Sequence, residues 1–360
     1  MGKRIVIVGA GAVGSYVGGH MARNGEDVTL IDPWPEHIDY IRAHGLQLSG
    51  MTEAERCTVE VPTMHLTEVQ GLSKQRPVDI AFVCVKSYDT AWATMLIAPY
   101  LAPDGFVVSL QNCMNEETIA GIVGWGKTVG CIASRISVDL YKPGHIMRTV
   151  PLGGEKHTVF RVGEVHGRIT PRVEEVARLV NYVDSTKTTT NLWGERWSKL
   201  CVNGMRNGLS AATGMGGNGC DRLEVTRRFA IRLAGEAVKV GRALGYALED
   251  IAHLEPDQLV AATEGDRAAL DAIETHLLKA AEGKSDAQRP SMGQDMLKGR
   301  RTEIDYINGF IAAKGEEVGV PAPAHAALTD LVKRIERGEL QPGPEHIERI
   351  VRSNSLAIGA

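Results

Sequence analysis

The chain has 360 residues, 43% of them hydrophobic and 23% charged, with a formal net charge of -4. That length exceeds one ordinary core and predicts two domains, while the composition excludes long disorder, collagen-like repeats and fibrous classes. The small negative charge gives no electrostatic reason to expect nucleic acid or an anionic membrane, so the expected partner is a small-molecule substrate.

The N-terminus lacks the apolar stretch and small-residue cleavage site of a signal peptide. No window approaches the roughly 20 apolar residues that span a bilayer. The six cysteines form no CxxC pair and no Cys/His ligand spacing, so neither a metal site nor a disulfide framework is expected, and a reducing cytosol is the expected setting.

Residues 4–8 (RIVIV) predict a strand buried on both faces. Residues 12–24 predict a helix stopped by Asn24-Gly25, and residues 27–31 the next strand, completing a βαβ unit. Further buried strands are predicted at 78–85 and 105–110, with a helix over 88–101 between them. This alternation predicts an α/β, Rossmann-type doubly wound sheet. From about residue 191 helical patterns dominate to the C-terminus. The predicted domains are therefore 1–190, holding a dinucleotide, and a mainly α-helical 191–360, binding substrate and carrying catalysis. Residues 249–290 are polar and rich in alanine and acidic side chains, which predicts an exposed helical insertion with little chemistry.

Gly9-Ala10-Gly11-Ala12-Val13-Gly14 lies where the first strand turns into the first helix, and Asp32 ends the second strand. Gly9 permits the tight turn, Gly11 lets backbone approach a pyrophosphate, and Gly14 lets helix and strand pack closely. The helix N-terminus offers N–H donors to the phosphates. A purely structural glycine turn is the bland alternative. Asp32 either caps the loop before Pro33 or accepts hydrogen bonds from the adenosine ribose hydroxyls, which would select NAD over NADP.

Lys199, Asn203 and Asn207 recur every four residues within a helical pattern. At about 100° per residue they share one stripe, either a solvated face or a functional one. Further on, Ser291 and Gln294 have the spacing of a capping box. The helix they would open carries Leu297, Ile304, Ile307 and Ile311 on one face, with Glu303 at its edge and Arg300 one turn earlier, either as an exposed ion pair or as a pair poised at a cleft. The glycine-rich run 214–219 lacks a preceding strand and reads as a turn. Neither HExxH nor GxSxG is present.

Taken together, Gly9 to Gly14, Val85-Lys86, Gln111-Asn112, the Trp197-Ser-Lys199-Leu-Cys-Val-Asn203 run with Asn207, and the Ser291-Met-Gly-Gln-Asp295 and Arg301-Thr-Glu303-Ile-Asp305-Tyr-Ile-Asn308-Gly309 blocks resemble the ketopantoate reductase (2-dehydropantoate 2-reductase) family. The resemblance implies hydride transfer between a nicotinamide and a ketone next to a carboxylate, with Lys199 as general acid. It also implies Lys86 and Asn112 near the nicotinamide or the reacting carbonyl, and Asn203, Asn207, Ser291 and Glu303 gripping substrate hydroxyl or carboxylate groups.

Where the family commonly has Gln-Asn-Gly and Asn-Pro-Leu, this chain has Gln111-Asn112-Cys113 and Asn207-Gly208-Leu209. Members usually prefer NADPH and often carry a basic residue near the position of Asp32. These departures favour an NAD-dependent dehydrogenase of a hydroxy acid or related alcohol, working as a homodimer by analogy with the class. A 2-dehydropantoate 2-reductase using NAD(P)H is the alternative, and a noncatalytic NAD sensor the weakest reading.

Overall fold

A computed structural model describes residues 2–287, 289–353 and 356–358. The chain divides into two compact units, Met1–Leu192 and Trp193–Ala360.

In the first unit the strands are β1 (Arg4–Val8), β2 (Asp27–Asp32), β3 (Leu46–Ser49), β4 (Cys57–Val59), β5 (Thr63–His65), β6 (Val78–Val83), β7 (Leu101–Ser109), β8 (Thr128–Ala133), β9 (Val138–Lys142), β10 (His145–Arg148), β11 (Phe160–Glu164) and β12 (Thr186–Thr189). The helices are α1 (Ala12–Arg23), α2 (Pro35–His44), α3 (Thr90–Ile97), α4 (Glu116–Val123) and α5 (Pro171–Val180). Eight strands form one sheet in the order β12-β11-β8-β7-β6-β1-β2-β5, parallel throughout except at the β8/β11 pair. β1 sits between β2 and β6, so strand order reverses there, and an open α/β sheet binds ligands beside the carboxyl ends of strands at such a point.

The local causes are those of the sequence. All five residues of β1 are buried, as a continuous β-branched run requires. α1 lies close on the sheet because Gly18 has no side chain: a Cβ there would stand 2.6 Å from Leu30 and 2.9 Å from Ile7. Asn24 caps α1, and Gly25 follows at φ +85°. The helix expected over 88–101 is shorter, because Pro99 ends it in a tight 3-10 turn and β7 begins at Leu101.

A second sheet, in the order β4-β3-β10-β9, was not anticipated. Its strands have three to five residues, too short and too weakly alternating to signal themselves.

The second unit contains α6 (Leu192–Thr213), α7 (Gly217–Arg222), α8 (Glu224–Ala243), α9 (Pro256–Thr263), α10 (Arg267–Ala281), α11 (Ser291–Leu297), α12 (Asn308–Glu317), α13 (Pro323–Glu336) and α14 (Glu345–Ser353). Three expectations are corrected here. The segment 249–290 is no loose insertion: Leu259, Ala262, Leu270, Ile273 and Leu277 are buried, and Arg227 of α8 pairs with Glu274 of α10 at 2.9 Å. The glycine run 214–219 closes on an internal anion, since Gly216 and Gly219 N–H donate to the Asp286 carboxylate at 3.1 and 2.6 Å. The long helix expected from Ser291 is broken. α11 ends at Leu297, which is 67% exposed, and Gly299 at φ +61° turns the chain before a 3-10 turn at Ile304–Tyr306.

Gly208 carries the packing of this unit. A Cβ there would stand 2.8 Å from Asn308 Oδ1 and 3.0 Å from Ile304 and Leu328. Asn308 cannot yield cheaply, because it is fully buried with its Nδ2 held by Gly204 O at 2.9 Å and His325 Nδ1 at 3.0 Å. Helix propensity alone favours alanine over glycine by about 1 kcal/mol. Overpacking costs about 1–3 kcal/mol and should win. Gly208→Ala is therefore expected to lower the thermal unfolding midpoint; a raised midpoint would show that the contact is slack.

Candidate active site

In the first unit the functional candidates gather at the carboxyl edge of the sheet. Gly9 follows β1, Asp32 ends β2, Lys86 follows β6 and Asn112 follows β7. The three glycines of the fingerprint divide their tasks. Gly9 has φ +94°, its N–H bonds Ile31 O at 2.9 Å, and a Cβ on it would strike Val85 at 2.7 Å. A Cβ on Gly14 would stand 2.1 Å from Gly9 O. A Cβ on Gly11 would meet nothing within 4 Å. Neither strain nor packing demands glycine at Gly11, so the space before it suits a close-approaching ligand. Gly11 is also the N-cap of α1 and makes no side-chain cap, leaving the first-turn N–H groups of Ala12 and Val13 to an anion.

Asp32 takes the loop-capping role within the chain: its Oδ1 accepts the Trp34 N–H at 3.0 Å. It is 9% exposed, and burial pushes its carboxyl up to about 6 despite the opposing help of the Trp34 and Ala10 N–H groups. A buried carboxylate beside the glycine turn is the acceptor that a ribose diol needs.

Several residues that shape this edge were missed. Gly144 N–H donates to His37 Nδ1 at 2.9 Å, which leaves His37 Nε2–H for Ser15 Oγ at 3.1 Å, and Ser15 Oγ donates to Ala10 O at 2.6 Å. Burial holds His37 down to about 4, so this neutral tautomer persists at neutral pH and ties the glycine turn to the second sheet. Asn115 Nδ2 bonds Asn112 O at 2.7 Å and Ser87 Oγ at 3.2 Å, and Gln111 Nε2 bonds Val85 O at 2.8 Å. These bonds fix the loops that bear Lys86 and Asn112. Cys113, where the family commonly has glycine, is buried at φ +66°, a conformation that costs a non-glycine residue about 1–2 kcal/mol.

In the second unit, Lys199, Asn203 and Asn207 all lie on α6. Lys199 and Asn203 are half-buried and Asn207 is 6% exposed. Trp197, on another face, is fully buried and donates its Nε1–H to Ala237 O at 2.9 Å, which anchors the helix. Asn203 Nδ2 is buried with no hydrogen-bond partner among the described residues. An orphaned donor of this kind costs about 1–3 kcal/mol until an acceptor, water or ligand, meets it.

The later blocks pack onto the same helix. Gly293 of α11 abuts Ser210, where a Cβ would stand 2.4 Å from Oγ, and Ile304, next to Glu303, abuts Gly208. Glu303 is 4% exposed, and its carbonyl accepts the N–H groups of Tyr306 at 2.9 Å and Ile307 at 3.0 Å. Arg300 is exposed, so the solvated ion pair expected between the two does not describe Glu303. The capping box is also absent: Ser291 is the first residue of α11 after Pro290, with no side-chain cap, and Gln294 Nε2 bonds Arg289 O at 3.0 Å. Ser291 is thereby released from the structural task assigned to it.

Among the described residues, no group of three or more His, Cys, Asp or Glu side chains is placed to hold a metal ion, and no helix is long and apolar enough to cross a membrane. Fold and site together define a Rossmann-type, nicotinamide-dependent oxidoreductase acting on a hydroxyl or keto carbon. Comparison with known proteins narrows this class. The family model "Ketopantoate reductase PanE/ApbA" matches residues 5–160, and its C-terminal counterpart matches residues 191–336. The chain belongs to the ketopantoate reductase family. It is 30% identical to the 2-dehydropantoate 2-reductase of Archaeoglobus fulgidus over 93% of this chain and 99% of that one. Among solved structures it resembles a PanE/ApbA family ketopantoate reductase from Ralstonia eutropha JMP134, with TM-score 0.75 and 28% identity over 93% of this chain and 99% of that one. It shares the fold of D-mandelate dehydrogenase in its ternary structure with NADH and anilino(oxo)acetate, with TM-score 0.75 and 24% identity over 93% and 98% of the two chains.

Proposed function

We propose that the protein is a 2-dehydropantoate 2-reductase, reducing the ketone of a small 2-oxo acid, and that it uses NADH. The observation that supports the reaction is the α6 stripe, with Lys199 beside the orphaned amide of Asn203, in a chain matched by the family over both units. In this reading residues 1–190 hold the dinucleotide through Gly9, Gly11, Ala12, Val13, Gly14 and Asp32, and residues 191–360 supply the proton donor and the substrate grip.

A bound reduced nicotinamide supplies the hydride. The Lys199 ammonium would stabilise negative charge on the carbonyl oxygen of the substrate and deliver the proton to it. Asn203 Nδ2 donates to a substrate oxygen. Asn207, Ser291 and Glu303 engage the carboxylate and the distal hydroxyl, with Glu303 as acceptor. Lys86 and Asn112 orient the reacting group at the sheet edge. A homodimer in the cytosol completes the reading, by analogy with the class alone.

Asp32 favours a second reading, an NAD-dependent 2-hydroxy-acid dehydrogenase, because a carboxylate at the ribose departs from the family's usual NADPH. The test follows absorbance at 340 nm with the full chain, pairing 2-dehydropantoate, 2-oxoisovalerate and benzoylformate in turn with NADH and NADPH. The highest kcat/KM with 2-dehydropantoate is the expected result. A preference of tenfold or more for another 2-oxo acid would transfer the assignment to the second reading.

Glu303 gives a separate prediction. Glu303→Gln keeps the shape but weakens a charge-assisted hydrogen bond, a loss of about 1.5–3 kcal/mol. The expected result is a roughly ten- to hundredfold fall in kcat/KM with an unchanged NADH dissociation constant. A large fall in unfolding midpoint with kinetics intact would make Glu303 structural instead.

A further inference from the structure

The segment that joins α10 to α11, residues 282–290, has Ala287 and Pro290 as its only apolar side chains, and neither is fully buried. Hydrophobic burial therefore does not set its course, and hydrogen bonds do. Asp286 makes the central ones. Its Oδ2 accepts the Gly216 N–H at 3.1 Å and its Oδ1 the Gly219 N–H at 2.6 Å. Beside it, Asn218 Nδ2 donates to Ser285 O at 2.7 Å, and Arg222 Nη2 donates to Ala281 O at 2.9 Å and to Lys284 O. Three residues on, Arg289 donates from Nε and Nη2 to Gly214 O at 3.2 and 2.9 Å. Both glycines are shaped to the carboxylate: a Cβ on Gly216 would stand 2.5 Å from Asp286 Oδ1, and one on Gly219 2.5 Å from Oδ2.

The same fastening fixes where α11 starts. Ser291 follows Arg289 and Pro290 directly, and Gln294 Nε2 bonds back to Arg289 O at 3.0 Å. Gly293 lies against Ser210 of α6, whose Oγ donates to Met215 O at 2.6 Å in the glycine run. Ser210 is less than one helical turn beyond Asn207. The end of α6 and the start of α11 thus form one frame, closed by the glycine run, and the frame carries both Asn207 and Ser291. Bonds from two backbone N–H groups to one carboxylate are charge-assisted, which makes them the strongest links in it.

We propose that Asp286 is a positioning residue for substrate recognition: its carboxylate, clasped by Gly216 and Gly219, holds Ser291 at working distance from the α6 stripe. The inference rests on the reading of Ser291, Asn203 and Asn207 as the substrate grip. Lys199 lies about three turns further back on α6, beside the Trp197 bond to Ala237, so the clasp bears on binding and not on proton transfer.

The experiment assays the full chain at 340 nm with NADH and whichever of the three 2-oxo acids above gives the highest kcat/KM. The variants are Asp286→Ala, which removes the carboxylate, and Gly219→Ala, which expels it with a Cβ while favouring the helix of α7. Ser291→Ala is measured alone and combined with Asp286→Ala. Asp286→Ala and Gly219→Ala are each expected to raise KM about fivefold or more, the scale of one displaced hydrogen bond, with kcat within about twofold. Ser291→Ala should raise KM at least as much, and adding Asp286→Ala to it should change nothing further, since the two act through one contact. Trypsin should cut after the exposed Lys284 several times faster in both clasp variants. Wild-type KM or wild-type cleavage in Asp286→Ala, with KM raised in Ser291→Ala, would overturn the proposal and leave the substrate grip standing. A fall in kcat with KM unchanged would also overturn it, by reducing the clasp to a staple of the fold. Unchanged KM in Ser291→Ala would remove Ser291 from the substrate grip, and the proposal with it.

Discussion

Lys199→Ala is expected to lower turnover roughly 100-fold or more while leaving the NADH dissociation constant within about twofold, the scale for removal of a positioned proton donor that does not touch the dinucleotide. The substitution isolates chemistry from folding. Lys199 is only half-buried, and α6 is held from other faces, by the Trp197 bond to Ala237 and by Asn308 on Gly204. Alanine is also the best helix former, so the backbone has no reason to move. Single-turnover absorbance at 340 nm separates the chemical step from product release. A loss confined to the chemical step, and lost sensitivity to pH on the alkaline limb where the ammonium would deprotonate, is the signature of a general acid. Wild-type turnover in Lys199→Ala would remove this lysine from the mechanism. Weakened NADH binding with unchanged chemistry would make it a binding residue.

What could be seen in the sequence was whatever local physics alone decides. The glycines of the fingerprint announce themselves because each answers a different local demand: a positive φ at Gly9, a 2.1 Å approach at Gly14, open space at Gly11. The four-residue spacing of Lys199, Asn203 and Asn207 needs only helical geometry. What failed depended on contacts distant in the chain. The spacing of Ser291 and Gln294 was a sound capping signal, yet Pro290 occupies the cap and Gln294 turns to Arg289. The apolar series through Ile304 and Ile311 passed for one helix because Gly299, tolerable inside a helix at modest cost, is here the turn that folds Ile304 onto Gly208. Asp286 looked like any polar loop residue until the glycine run closed around it from about 70 residues away. His37, Ser15 and Asn115 carry no motif at all, and only their partners reveal them.

Asp32→Asn is expected to make the protein more stable and less selective at once. The cofactor side rests on the position of Asp32 at the end of β2, where a carboxylate accepts from both ribose hydroxyls of NADH and repels the 2′-phosphate of NADPH. Exchanging it for an amide forfeits about 1.5–3 kcal/mol of charge-assisted bonding and removes the repulsion, so the ratio of the two dissociation constants should shift toward NADPH by ten- to more than a hundredfold. The nearby basic side chains do not stand in the way of this discrimination, and His65, beside Asp32, already bonds Pro33 O and Thr67 Oγ1, each at 3.2 Å. Arg42 is engaged by Glu68 and by Thr63 O, and His37 is fully buried between Ser15 and Gly144. The stability side follows from the carboxyl being pushed up to about 6 by burial. A folded value above the unfolded one means that the native state holds this proton more tightly than the unfolded chain. Below pH 4 both states are protonated and the residue costs nothing. As pH rises from about 4 to 6 the unfolded chain ionises first, and native stability falls by about 2–3 kcal/mol, a deficit that persists above pH 6. Asparagine keeps the acceptor for Trp34 N–H and never ionises, so urea unfolding at pH 7.5 should show the variant more stable by about that amount, with the gain vanishing near pH 4. Fluorescence titrations with NADH and NADPH on both proteins complete the measurement. Equal stability at pH 7.5 would mean that Asp32 is not strained by burial, and an unchanged NADH/NADPH ratio would remove it from cofactor choice.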